Sequence, residues 1–551
     1  ERILIIYIVL AAMILAVYWQ VSQFDFVNLD DYVYVKENSH IAHGITLEGI
    51  RWAFSTTYAE FWHPLTWLSL MLDYQLYGLN AGGYHMTNVI LHILSTLLLF
   101  RLFNRMTGAI WKSAFVAAFF AIHPLRVESV AWIAERKDVL SLFLGILTLC
   151  LYVYYTEKPD IKKYLLVLFS FACSLMSKSI VVTMPVIMIL LDYWPLKRFD
   201  SSKDNSILWQ LKEKTPFFIL SAFFSIITIL VQPNSTGKGV TLGVRLANAP
   251  VAFVTYLEKT FWPHDLAVFY PFPSQIPMWQ ILGASLLTMI ISIAVIVMVK
   301  RLPYIFVGWF WYVMTIAPVI GIIKVGNHAM ADRYHYIPSI GLAVILAWGI
   351  PELIRNEERR KKTLFPAGLV LLVILSILSW KQCGYWENSI SLFNHTLQIT
   401  KNNFIAHDGL GIALLEEGKT EKAINHFSEV IRINPNYANG YNNRGISYCS
   451  FVNYQHAIKD FNKAIQLKPG YAPFFYHRGS AYDKQGQYQT AINDYNEAIR
   501  LKPDYADAYN NRAFVYLEQG AKEVGCSDAR KACGLGNCRI LKGAQVRGLC
   551  H

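Results

Sequence analysis

The sequence predicts an all-α fold in two parts, a polytopic membrane helical bundle followed by an α-solenoid of short helical repeats. Three observations predict it. Hydrophobic residues make up 54% of the 551, and the mean hydropathy of +0.31 is too high for an ordinary soluble protein. The apolar residues come in runs separated by short basic clusters, as membrane helices and their inner loops do. Beyond Trp380 those runs stop and a period of 34 residues begins.

Judged by the length that crosses a bilayer, about eleven spans are expected. They cover roughly 2–21, 85–103, 112–124, 139–155, 163–177, 180–194, 215–231, 279–299, 303–323, 337–354 and 364–380. The first run ends without a small-residue cleavage site and reads as a signal anchor. Alternating the spans from an inner N-terminus puts every basic cluster inside: Arg101/Arg105/Lys112, Lys158/Lys162/Lys163, Lys197/Arg198/Lys203, Lys300/Arg301 and Arg355/Arg359/Arg360/Lys361/Lys362. The net charge of +12 is therefore spread over inner loops rather than gathered on one soluble domain, which argues against nucleic acid as a partner. The same alternation places Asp30-Asp31, the turn from His123 to Asp138, the loop 232–278, the segment 324–336 and everything after Trp380 outside.

The outer segments are rich in chemistry-bearing and aromatic residues. Residues 38–84 carry Trp52, Trp62, His63-Pro64-Leu65-Thr66-Trp67 and Tyr84-His85, which predicts amphipathic helices in the interface. Segment 247–262 reads as re-entrant or interfacial, because Trp262-Pro263-His264-Asp265 and Tyr270-Pro271-Phe272-Pro273 break any span running through it.

In the C-terminal part, Pro435, Pro469 and Pro503 recur in register, as do Gly411, Gly445 and Gly479, and Ala423, Ala457 and Ala491. Small residues stand where two helices cross closely and Pro follows the second helix, the tetratricopeptide pattern. Three full repeats and a partial fourth from Asp504 give a solenoid whose groove binds extended polypeptide, or else a purely structural array. Four of the eight cysteines, Cys526, Cys533, Cys538 and Cys550, fall in the tail. Two disulfides of unread connectivity suit an oxidising compartment, with zinc the weaker alternative because no Cys-x2-Cys pair is present. The expected domains are 1–384 (membrane), 385–525 (repeats) and 526–551 (Cys-rich cap).

Charged groups at a membrane face are costly and tend to be functional. The outer set here is Asp30, Asp31, His63, His123, Arg126, Glu128, Glu135, Arg136, Lys137, Asp138, Lys178, Asp332 and Arg333. Carboxylates beside cations suit sugar transfer from a lipid phosphate: one carboxylate deprotonates an acceptor hydroxyl while Lys or Arg holds the departing phosphate.

Several segments carry a resemblance: Asn28-Leu29-Asp30-Asp31, His63-Pro64-Leu65-Thr66, Tyr84-His85-Met86-Thr87-Asn88, His123-Pro124-Leu125-Arg126-Val127-Glu128-Ser129-Val130, Arg136-Lys137-Asp138, Ser177-Lys178-Ser179 and Ala331-Asp332-Arg333-Tyr334-His335-Tyr336-Ile337-Pro338-Ser339. In this order, followed by repeats, they resemble the transmembrane and tetratricopeptide-repeat protein O-mannosyltransferases over nearly the whole chain. The resemblance implies a GT-C type membrane domain and an inverting transfer from a polyprenyl-phosphate sugar, with no certain cofactor; a divalent metal is possible but not predicted. It implies Asp30 and Asp31 as the catalytic pair, with Asp31 preferred as base for being less membrane-proximal. It implies Arg333, Arg136 and Lys178 as donor-phosphate contacts, and Asp138, His63, His123, Glu128 and Tyr336 as substrate-orienting groups. Ser179 and Asp332 depart from the family pattern, and the repeat array is shorter than in animal members. The implied partners are a membrane lipid carrier and a protein acceptor held by the repeats. The short array and the absence of an ER-retrieval tail favour a bacterial inner membrane. The alternatives are a non-catalytic membrane scaffold, for which so many spans are excessive, and a transporter, for which matched broken spans are missing.

Overall fold

The computed structural model describes residues 1–199, 207–232, 241–273, 275–322, 328–354 and 356–550. Lys203, Lys324 and Arg355 lie outside the described residues. The chain divides into two compact units, Glu1–Thr400 and Lys401–His551. Among the described residues there is no strand, only an isolated antiparallel bridge between Tyr270 and Met330.

Among its described residues the first unit holds sixteen α-helices, joined in places by short 3-10 turns. They are α1 (Arg2–Tyr18), α2 (Leu47–Ser55), α3 (Pro64–Tyr77), α4 (Ala81–Thr107), α5 (Ile110–Ile122), α6 (Val127–Ala131), α7 (Arg136–Glu157) and α8 (Ile161–Ser177). There follow α9 (Met184–Tyr193), α10 (Ile207–Val231), α11 (Leu242–Phe261), α12 (Met278–Val297), α13 (Pro303–Ile316), α14 (Ser339–Glu352), α15 (Glu357–Gly384) and α16 (Ser389–Ile399). Local chemistry sets several ends. The Thr46 hydroxyl accepts the Gly49 N–H at the start of α2, Pro64 opens α3, and Gly108 in the left-handed region closes α4.

Among the described residues six helices are long and apolar enough to cross a bilayer: those within 2–23, 81–107, 133–157, 208–231, 278–297 and 357–384. A bent pair, 110–122 with 124–131, passes the same test of length and composition when taken together and is broken by 61°. The break falls at His123-Pro124, where Pro removes an N–H and pushes the preceding residue out of the helical region. Ser179–Tyr193, Pro303–Val319 and Ser339–Glu352 are apolar but shorter. The expected count of eleven is thus not carried by full-length helices. Segment 247–262 is the greater part of one helix, α11, with Trp262 as its C-cap, and α11 is not among the long apolar ones.

Packing is tight where small residues permit it. α13 and α14 cross at Gly308 and Gly341, where an added Cβ would come within 2.4 Å of the Gly341 carbonyl oxygen or 2.2 Å of that of Gly308. Side chains of Ile6, Leu10, Phe100, Ala117 and Ala118 join α1, α4 and α5 in one apolar cluster. Many apolar residues on α10, α12 and α15 stay on the outside, among them Ile229, Trp279 and Ile377, as lipid-facing surfaces require.

The second unit stacks α17 (Phe404–Glu416), α18 (Thr420–Ile433), α19 (Ala438–Ser450), α20 (Tyr454–Leu467), α21 (Ala472–Lys484), α22 (Tyr488–Leu501), α23 (Ala506–Glu518), α24 (Lys522–Gly534) and α25 (Arg539–Val546). The repeated glycines have a steric cause: a Cβ on Gly411 or Gly445 would sit 2.6 or 2.7 Å from the rings of Phe427 or Phe461. A second ladder ties the repeats together. Arg444, Arg478 and Arg512 each grip the aspartate 16 residues on (Asp460, Asp494, Asp528) with two guanidinium nitrogens. Each also reaches back to the preceding repeat, to Ser428, Asn462 and Asn496. At the end, Cys526 pairs with Cys550 and Cys533 with Cys538.

Candidate active site

Several of the charged residues singled out in the sequence converge on one carboxylate. Glu135 ends the 3-10 turn Ile133–Glu135 just before α7 and is buried. Three cations surround it: Lys137 Nζ at 3.3 Å, Lys178 Nζ at 3.0 Å and Arg333 Nε at 3.2 Å. Each cation has a second carboxylate of its own. Lys137 lies 3.7 Å from Asp30, Lys178 lies 2.5 Å from Asp138, and Arg333 pairs with Glu128 through its guanidinium. Glu128 also accepts the backbone N–H of Arg333 at 2.9 Å. Buried charges persist only when paired in this way.

Exposure differs sharply around the ring. Asp30 has half of its side chain exposed, whereas Lys178 and Arg333 are each 13% exposed. Asp31 is wholly buried, and its two oxygens accept the N–H groups of Val27 (3.1 Å) and Ala134 (2.8 Å). Burial pushes the Asp31 carboxyl up to about 7, against the pull of those two N–H groups. Neighbouring aspartates thus differ: Asp31 ties the segment after α1 to the Ile133 turn, and Asp30 is half-exposed.

Arg333 stands on a segment fastened from several sides. The Tyr256 hydroxyl of α11 bonds both the carbonyl and the N–H of Ala331, at 2.9 Å each. Tyr270 donates to the Asp332 carboxylate at 3.0 Å. Burial raises Asp332 to about 6, opposed by Lys259 and by that hydroxyl. Arg126, fully buried, donates to the His335 carbonyl at 2.7 Å and contacts its Nδ1 at 3.1 Å.

Of the remaining residues singled out in the sequence, His63 borders the ring and the others lie away from it. Arg136 points away from its neighbour Glu135 and is consumed by Asn88 (2.5 Å), Ser69 (2.8 Å), Asp73 (2.6 Å) and the Tyr84 carbonyl (2.9 Å). His123 donates through Nε2 to the Thr260 carbonyl and accepts the Leu125 N–H at Nδ1, fixing the break between α5 and α6. Tyr336 is buried with its hydroxyl 2.7 Å from His92 Nδ1. His63 is buried against Tyr34, Phe61 and Trp67, and burial together with Lys137 and Lys178 pushes its pKa well down. A small cavity beside it is lined by Glu60, Phe61, Trp62, Lys178, Ser179 and Thr228. Among the described residues no three His, Cys, Asp or Glu side chains are grouped to hold a metal ion.

Glu135, Lys137 and Asp73 complete these arrangements. Glu135 and Lys137 stand in the charged set read from the sequence without a role of their own, and Asp73 is the one not named there. Glu135-Arg136-Lys137-Asp138 opens an apolar helix with four charges, and Asp73 is a lone carboxylate inside Leu68–Leu76.

These features define a class, an integral membrane protein with a buried mixed-charge centre and a tetratricopeptide solenoid. Comparison with known proteins gives the particular relatives. A family model described as TPR repeat matches residues 411–449 and 479–520. The chain is 24% identical over 469 residues to the human protein O-mannosyl-transferase TMTC1, covering 73% of this chain and 52% of that one. It is 23% identical over 379 residues to a protein O-mannosyl-transferase of Caenorhabditis elegans, covering 65% and 52%. The chain thus resembles the transmembrane and tetratricopeptide-repeat family and spans about half the length of these relatives. A solved structure, the crystal structure of MamA, covers 26% of this chain and 85% of its own at 25% identity, with a TM-score of 0.25.

Proposed function

We propose that this chain is a membrane protein O-mannosyl-transferase that moves a sugar from a polyprenyl-phosphate donor to a Ser or Thr hydroxyl of a polypeptide on the extracytoplasmic side. Its similarity to proteins of that name supports the class of reaction. The observation that carries the mechanism is Asp30, half-exposed at the rim of a buried ring of cations.

In this reading Asp30 is the general base. It takes the acceptor hydroxyl proton while that oxygen attacks C1 of the sugar from the face opposite the phosphate. The C1–O bond to phosphate breaks, its electron pair leaves with the polyprenyl phosphate, and configuration at C1 inverts. Lys178 and Arg333 hold the phosphate and its developing charge. Asp138 and Glu128 hold Lys178 and Arg333 in place. Asp31, with both oxygens taken by backbone N–H groups, positions the segment and is not the base. Arg136 is a structural cation with its own partners rather than a phosphate contact. The repeat groove recruits the acceptor polypeptide.

Asp30→Asn and Asp31→Asn, assayed for mannosyl transfer to peptide by purified protein, separate these roles. Losing a general base costs about 10²–10⁴-fold in rate. Asp30→Asn should show that loss with donor binding intact, and Asp31→Asn should stay within about tenfold of wild type, since Asn Oδ1 still accepts one N–H. Unimpaired transfer by Asp30→Asn rejects the assignment.

A further inference from the structure

The ring around Glu135 is not charge-balanced. Fully ionised, four carboxylates, Asp30, Glu128, Glu135 and Asp138, face three cations, Lys137, Lys178 and Arg333, one negative charge in excess. Burial pushes Glu128 and Asp138 up to about 7, so the excess is complete only above that pH. The groups facing it from neighbouring elements do not remove the excess. His63 and His328 are pushed down by burial and stay neutral, and the Tyr34 and Tyr334 hydroxyls are pushed up. Asp31 and Arg126 take part in none of these ion pairs, and the Asp31 carboxyl, pushed up to about 7 by burial, adds no cation to the ring. Asp332 is matched by Lys259.

An anionic headgroup that bonds Lys178 and Arg333 must take places now held by Glu135, Asp138 or Glu128. The displaced carboxylate would then sit buried, without its cation and beside another anion, which strongly disfavours ionisation. Protonated, it becomes an O–H donor to the phosphate oxygen. We propose that this centre binds a phosphate headgroup together with about one proton, so that its affinity for lipid phosphate falls as pH rises. The inference rests on reading the site as a phosphate site and adds the proton to it. The linkage amounts to about a tenfold loss of affinity per pH unit between the carboxyl's pKa in the free ring and its higher pKa once displaced.

Calorimetric titration of the full chain in nanodiscs tests it, with farnesyl methyl phosphate as probe. This diester has no titratable proton near neutrality, so any proton comes from the protein. Measured in two buffers of different ionisation enthalpy, binding should take up about one proton, and affinity should fall about tenfold from pH 7 to 8. Glu135→Gln brings the count to three against three while every cation keeps a carboxylate. It should still bind the diester, with proton uptake and pH slope both near zero. Asp138→Asn makes the same balance and serves if the first variant does not fold. Wild-type binding without proton exchange, binding that requires Mg²⁺ or Mn²⁺ in place of the proton, or an unchanged slope in both variants overturns the proposal. No binding of the diester at any pH rejects the phosphate reading itself, a distinct result.

Discussion

Replacing Arg136 by Met should cost folding stability before it costs anything else. The Arg136–Asp73 pair is 2.6 Å long with side chains 0% and 2% exposed, and Arg136 makes three further hydrogen bonds. Removing one partner of such a pair strands a buried charge, at about 3–5 kcal/mol. Arg105–Glu157 has the same 2.6 Å spacing, but its side chains are 38% and 45% exposed. An exposed pair of that kind contributes only about 0–1 kcal/mol, which makes Arg105→Met the control. Replacing both members, Arg136→Met with Asp73→Leu, removes both charges and should recover most of the loss, because a buried pair exchanged for apolar side chains is often neutral. The assay is thermal and denaturant unfolding of the full chain in detergent, alongside sugar transfer. Stability of Arg136→Met within about 1 kcal/mol of wild type, with transfer abolished, would refute the reasoning and return Arg136 to the donor site.

Asp31 gives a pH prediction. Its carboxyl, held up at about 7 by burial, binds a proton in the folded chain that the unfolded chain has lost above its own lower pKa. Stability should therefore fall as pH rises from about 4 to 7, by up to about 1.4 kcal/mol per unit, and level off above. Asp31→Asn, neutral throughout, should flatten that slope; an identical slope in the variant contradicts the account. In the repeats, Arg478→Ala removes the grip on Asp494 and the tie to Asn462. Hydrogen exchange should quicken locally in α20 to α22, equivalent to about 1.5–3 kcal/mol, and leave Glu1–Thr400 unchanged. Uniform quickening throughout the chain would mean the ladder is not a local tie.

Much of the fold was legible in the sequence because it follows from two periodic demands. Apolar runs mark helices even where their lengths mislead: the break at His123-Pro124 and the short helix Ser179–Tyr193 blur the number of crossings. The repeats were legible position by position, since Gly411 and Gly445 recur for the single reason that a ring packs on each. The candidate site was half legible. That charges at a membrane face gather was evident, and Asp30, Glu128, Asp138, Lys178 and Arg333 do meet. Which neighbour goes where was not. Glu135 and Arg136 are adjacent in sequence but lie on either side of the step from a 3-10 turn into α7, so one enters the ring and the other turns to Asp73. Asp30 and Asp31 divide in the same way, and only the N–H groups of Val27 and Ala134 reveal that Asp31 is the held one.

The most direct test of the account is transfer itself. Purified full chain is incubated with polyprenyl-phosphate mannose labelled in the sugar and with Ser/Thr-containing peptides, and the products are resolved by mass and by anomeric configuration. The account predicts labelled glycopeptide with inverted configuration at C1, one polyprenyl phosphate released per sugar moved, and loss of both products in Asp30→Asn. Donor that binds without being consumed, or a product with retained configuration, would contradict it.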